Sequence, residues 1–137
     1  TLAYLLPCIK AIGGRVCRRL RALIVVPGRE LARQVLSVAK PPCAQLNLQA
    51  YAATGQSSLQ VDKAKLVAGV DLLIVTPGRL VDLLPFLEME TVEWLLIDEA
   101  DRLLDQPHSD WLPRLNAKLN RNLQAGDVRN LNVEPLW

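Results

Sequence analysis

The chain has 137 residues, half of them hydrophobic and 22% charged, which is enough to bury a core and too apolar for a disordered tail; it is one domain or part of one. Only 4% of the residues are aromatic, so the core is aliphatic; no apolar run approaches the roughly 20 residues of a membrane-spanning helix. The net charge of +2 hides two opposed stretches: residues 1–40 carry eight Lys/Arg and one acid, and residues 80–110 carry nine acids and one base. A basic stretch can attract phosphates and an acidic one can hold a cation, unless both are simply solvated faces.

The opening, Thr1-Leu2-Ala3-Tyr4, has no Met, basic n-region or cleavage site, so no secretory signal is expected and the chain reads as starting in mid-sequence. The first strand signal is the continuous run Ala22-Leu23-Ile24-Val25-Val26, as expected of a strand buried on both faces of a parallel sheet. Pro27-Gly28-Arg29-Glu30 follows, and then Leu31, Val35 and Val38 at helical spacing. Leu48 to Ala52 is a weaker strand. Ser57-Ser58 offers an N-cap to a helix over Leu59–Val67. Leu72-Leu73-Ile74-Val75 is the second strong strand, followed by Thr76-Pro77-Gly78-Arg79 and a helix bearing Leu80, Leu83 and Leu84. Trp94-Leu95-Leu96-Ile97 is the third, ending in Asp98-Glu99-Ala100-Asp101, with Leu103, Leu104, Trp111 and Leu115 continuing on helices. Alternating strand and helix implies an α/β fold, a parallel sheet with flanking helices. Beyond Asn116 the rhythm fades, with turn-like points at Asn116, Asn120, Asn130 and Asn132. The expected division is therefore a domain over 1–115 and a helix end with an irregular tail over 116–137.

In open parallel sheets ligands bind beyond the carboxyl ends of the strands, so three distinctive turns should line one edge. A buried strand ending in Asp98-Glu99 delivers two carboxylates there. One could hold Mg²⁺ against nucleotide phosphates and the other could orient an attacking water. The same pattern also fits an acidic first helical turn opposing the helix dipole. Thr76-Pro77-Gly78 makes a helix start whose N–H groups suit phosphate, with Arg79 adding a cation; an ordinary capped helix with a surface Arg fits equally. Cys8, Cys17 and Cys43 are odd in number and lack CxxC spacing, which argues against a disulfide framework or zinc site and for a reducing compartment. His108, the single histidine, has no ligand-spaced Cys or His and is expected to have no metal role. Trp111 is expected to pack.

Taken together these segments resemble the DEAD-box family of ATP-dependent RNA helicases. Asp98-Glu99-Ala100-Asp101 matches the family's signature tetrapeptide. Pro27-Gly28-Arg29-Glu30-Leu31-Ala32 is similar to motif Ia, usually Pro-Thr-Arg-Glu-Leu-Ala, and Thr76-Pro77-Gly78-Arg79-Leu80 matches motif Ib. Thr54-Gly55-Gln56 stands where the family carries a Gly-Gly motif. Thr1-Leu2-Ala3-Tyr4-Leu5-Leu6-Pro7 resembles the residues after the P-loop Gly-Lys, with Thr1 as that motif's last residue. The resemblance runs from residue 1 to about residue 115 and implies a P-loop NTPase, RecA-like helicase domain that is N-terminally truncated. The P-loop glycines and Lys, the adenine-reading motif, the Ser-Ala-Thr motif and the second RecA-like domain are absent from this sequence. Gly28 replaces a Thr whose hydroxyl could touch RNA.

The resemblance implies ATP and Mg²⁺ as cofactors and RNA as partner, with no membrane. Thr1 and Asp98 would hold Mg²⁺, Glu99 would position the water that attacks the γ-phosphate, and Asp101 would couple the nucleotide site to the RNA-facing motifs. Arg29, Gly55, Thr76, Gly78 and Arg79 would contact the RNA sugar-phosphate backbone, without sequence preference. The Thr54–Leu59 variant is closer to the ribosome-biogenesis subgroup, which implies a nuclear, nucleolar location, otherwise a cytoplasmic one. Arg15, Arg18, Arg19 and Arg21 would form a solvated loop or an auxiliary RNA contact. On its own the fragment is expected to be inactive. The alternative is a short product acting only as an RNA- or protein-binding piece.

Overall fold

The structure is a computed structural model that describes residues 1–14, 17–106 and 110–124. Among these, four strands form one parallel sheet in the order β2-β3-β1-β4: β1 (Ala22–Val25), β2 (Ala50–Ala53), β3 (Leu72–Val75) and β4 (Trp94–Ile97). Six α-helices accompany them: α1 (Leu2–Ile12), α2 (Arg29–Gln45), α3 (Leu59–Gly69), α4 (Pro77–Leu83), α5 (Ala100–Leu104) and α6 (Trp111–Gln124). The α/β expectation is met, and the three strong strand runs sit where the sequence puts them. β2 begins two residues later than the Leu48 start read from the pattern.

The continuous runs are continuous because the sheet is covered on both sides. Leu23, Val25, Leu73, Val75 and Leu95 face one way, into a cluster with Leu80, Leu83, Leu103, Trp111 and Leu115. Ala22, Ile24, Leu72, Ile74 and Leu96 face the other way, into α1 and α2 through Leu5, Ile9, Val35 and Ala39. Fully burying one such aliphatic side chain contributes about 1.5–3 kcal/mol. The chain moves outward from β1 to β2 under α2 and returns across the opposite face through α3 and α4, as right-handed crossovers require.

Ser58 caps α3 as expected, its hydroxyl accepting from the Val61 N–H at 3.4 Å. Thr76 is the N-cap of α4 but its hydroxyl makes no capping bond. α6 runs through Asn116 and Asn120 to Gln124, so these two asparagines are helical and not turn points; Asn130, Asn132, Arg15 and His108 lie outside the described residues. Trp111 is packed, 1% exposed. Cys17 is exposed, while burial pushes the Cys8 thiol up to about 12 and the Cys43 thiol up to about 11.

Arg21 corrects the reading of the basic cluster. It is fully buried and paired with Asp71 at 3.0 Å, and so is neither a solvated loop residue nor an RNA contact. Arg18 is exposed and Arg19 partly so. No helix among the described residues is long and apolar enough to cross a membrane.

Candidate functional site at the carboxyl edge of the sheet

The register decides where the site lies. Val25 pairs with both Val75 and Ile97, and Ala53 pairs with Val75, so all four strands end level. The backbone stays tied for one residue more: Thr76 N–H donates to Ala53 O, Val26 N–H to Val75 O, and Asp98 N–H to Val25 O. The turns starting at Thr54, Thr76, Pro27 and Asp98 therefore stand side by side in that order. Three inter-strand spacings of about 4.8 Å separate the first from the last, roughly 14 Å.

The first three turns enclose an open cavity of about 510 Å³, lined by Gly28 and Arg29, Thr54 and Gly55, and Thr76 to Arg79 with Asp82 and Gln106. Arg29, Gly55, Thr76, Gly78 and Arg79, to which the resemblance gives RNA contact, all line it. Arg29 is exposed at the start of α2 and has no ion-pair partner among the described residues. Gly55 holds φ +81, a left-handed conformation that a side chain would strain. Gly28 is extended, and a Cβ there would meet nothing within 4 Å, so the missing Thr side chain is not excluded by space. Gln106 Nε2 donates to Pro27 O at 2.9 Å, tying the segment after α5 to the β1 turn.

Arg79 is held differently from Arg29. Its side chain is 9% exposed, its Nε lies 3.1 Å from Asp62 Oδ2, and its Nη1 is 3.9 Å from Asp82. Nη2 donates to Ser57 O at 2.6 Å. Asp62 is fully buried, and its Oδ1 also accepts from the Tyr51 and Ser57 hydroxyls, each at 2.6 Å. Burial and the bond to Asp62 push the Tyr51 hydroxyl above its usual range. The sequence did not single out Asp62, whose position reads only as an acid in a first helical turn.

At the far end of the edge, Asp98 is fixed at both oxygens. Oδ2 accepts from the Tyr4 hydroxyl at 2.6 Å and Oδ1 from the Glu99 N–H at 3.0 Å. Burial, then the bond to Asp98, drives the Tyr4 hydroxyl far above its usual range, while a hydrogen bond from Thr1 acts the other way. Tyr4, in the first turn of the helix that Thr1 begins, thus meets Asp98, although Tyr4 was absent from the sequence assignment. Glu99 caps α5 with φ 51, a strained conformation for a non-glycine residue and a kind concentrated at functional sites. Its carboxylate pairs with the exposed Arg102 at 2.7 Å. Asp101 is exposed and makes no side-chain bond among the described residues.

A second cleft of about 540 Å³, lined by Arg18, Lys63, Val67 and Phe86 among others, lies at the amino ends of the strands and contains none of the assigned residues.

Residues 1–129 match the family model described as DEAD/DEAH box helicase. The chain is 38% identical over 128 residues to the ATP-dependent RNA helicase DDX51 of Homo sapiens, covering 85% of this chain and 19% of that protein. It is 36% identical to the ATP-dependent RNA helicase DBP6 of Candida albicans, over 99% of this chain and 23% of that protein. Among solved structures, the yeast DEAD-box splicing factor Prp28 superposes with a TM-score of 0.76 at 30% identity, over 88% of this chain and 30% of that one. The chain thus spans about a fifth of the length of these two curated relatives.

Proposed function

Because the chain belongs to the DEAD/DEAH box helicase family, we propose that the protein is an ATP-dependent RNA helicase in which residues 1–115 form part of the nucleotide-binding domain. The observation that carries the reading is the level register, which sets a phosphate-suited cavity on β2, β3 and β1 beside a carboxylate turn on β4. The names of the relatives support the same activity.

The residues at β4 fit Mg²⁺ held together with ATP. Thr1 starts α1 and Asp98 accepts from Tyr4 in that helix's first turn, so both offer hard oxygen donors near one another. When bound, Mg²⁺ would neutralise charge on the transferring phosphoryl group. Thr1 and Asp98 would hold the ion's shell, Tyr4 keeps Asp98 turned toward α1, and Glu99 accepts the proton of the attacking water. Asp101, free at the edge, would couple this end to the RNA-facing turns. Arg29, Gly55, Thr76, Gly78 and the uncommitted donors of Arg79 would bind the RNA sugar-phosphate backbone. The Thr54–Leu59 loop supports a place in the ribosome-biogenesis subgroup and hence a nucleolar site of action.

The test is Arg29→Ala in the full-length protein, with single-stranded RNA binding read by fluorescence anisotropy over a salt series. Loss of one phosphate contact should weaken binding equally for different sequences and flatten the salt slope by roughly 0.7. An unchanged slope with an altered base preference would refute backbone reading.

A further inference from the structure

We propose that Asp62 is a positioning residue for RNA binding: fully buried behind the cavity, it sets the geometry of the Gly55 loop and of the Arg79 guanidinium without touching RNA. The proposal rests on the RNA-binding reading above.

Three separate pieces of chain converge on this one carboxylate. Tyr51 comes from β2, Ser57 from the loop after it, and Arg79 from the first turn of α4. Ser57 is held twice, by its hydroxyl on Asp62 and by its carbonyl on Arg79 Nη2. Gly55, two residues earlier, keeps its left-handed conformation with the guanidinium of Arg79 directly behind it, 3.8 Å from where a Cβ would stand. The loop and the helix start thus form one bonded corner around the buried carboxylate of Asp62. A neutral Asp62 would leave the Arg79 charge, 9% exposed, without its close partner. The guanidinium would then turn toward Asp82 or solvent, and the loop carrying Gly55 would lose the tie from Arg79 to the Ser57 carbonyl. Phosphate recognition by backbone N–H groups needs fixed donors, so loosening the corner costs affinity although no phosphate contact is removed.

The experiment compares the full-length protein with its Asp62→Asn, Arg79→Ala and double variants, measuring Kd for a single-stranded RNA over a salt series with a nonhydrolysable ATP analogue present. Asp62→Asn keeps the shape and an acceptor oxygen for Tyr51 and Ser57 but removes the buried ion pair with Arg79, and should weaken binding about tenfold. Its salt slope should match that of the unsubstituted protein, unlike that of Arg29→Ala. The double variant should bind no more weakly than Arg79→Ala alone, because Asp62 acts through Arg79; a merely structural loss would add. Should Asp62→Asn fail to fold, Tyr51→Phe combined with Ser57→Ala removes two donors and keeps the ion pair, and should weaken binding at least about threefold. Affinity equal to the unsubstituted protein, additive losses, or tighter binding with a steeper slope would each overturn the proposal. If the unsubstituted protein binds no RNA, the helicase reading falls first and this proposal with it.

Discussion

Glu99→Gln in the full-length protein is expected to slow ATP hydrolysis by about 10²–10⁴-fold while leaving nucleotide binding nearly intact. The amide has the shape of the carboxylate but cannot accept the proton of the attacking water, and a lost general base has that magnitude. Two features of the structure make the comparison clean. Glu99 already sits at φ 51, and Gln meets the same backbone strain, so the turn should keep its form. The substitution also removes the ion pair with Arg102, but that pair is exposed, and such pairs contribute about 0.2–1 kcal/mol. Arg102→Ala breaks the same pair and spares the carboxylate, so its turnover should stay close to normal. Single-turnover hydrolysis and nucleotide titration of both variants give the answer. Equal losses in the two would mean that the ion pair, and not the carboxylate, matters.

Asp71→Ala should cost about 3–5 kcal/mol of stability, the magnitude seen when one partner of a buried pair is removed. Arg21 and Asp71 have side chains 1% and 2% exposed. The Arg21 guanidinium also donates to Ile12 O, and Asp71 Oδ2 accepts from the Gln49 N–H at 2.9 Å. One ion pair therefore joins the end of α1, the entry to β1, the entry to β2 and the entry to β3. Removing the carboxylate leaves a buried cation and a bare amide. Whole-domain stability is on the order of 5–15 kcal/mol, so this single change should take a large share of it. Replacing both partners, Arg21→Met with Asp71→Leu, removes the charge as well as its partner and should cost far less. Urea midpoints report the difference, and hydrogen exchange at the Gln49 amide should accelerate in Asp71→Ala. A double variant as unstable as the single one would contradict the account.

What the sequence revealed and what it concealed follow one physical division. β1, β3 and β4 were legible because each is covered on both faces, and that requirement writes an unbroken aliphatic run. β2 is Ala-Tyr-Ala-Ala at an edge of the sheet, with little burial to mark its ends, and its start slipped by two residues. The cavity turns were legible because each directly follows a strand, so neighbours in the sheet become neighbours in the site. Asp62, Tyr4 and Arg21 were not, since their meaning lies in partners distant along the chain. Tyr4 meets Asp98 across 94 positions and Arg21 meets Asp71 across 50. Arg21 looked like its neighbours Arg18 and Arg19 because a charge carries no mark of burial in a single sequence. Arg79 was recognised as a site residue, but its pairing with Asp62 and Ser57 emerges only when α4 packs beside the β2 loop.

The two-sided core has an optical consequence. Trp111 lies beneath the face covered by α4 and α6, whereas Trp94 packs against the cluster under α1 and α2. The two indoles are thus separate lamps on opposite sides of one sheet. With Trp137 replaced by Phe, a further Trp94→Phe or Trp111→Phe leaves one lamp lit, and its emission follows the melting of one face alone. Coincident midpoints from the two single-lamp proteins would mark the sheet and both its layers as one cooperative unit. Separate midpoints would assign each layer its own stability.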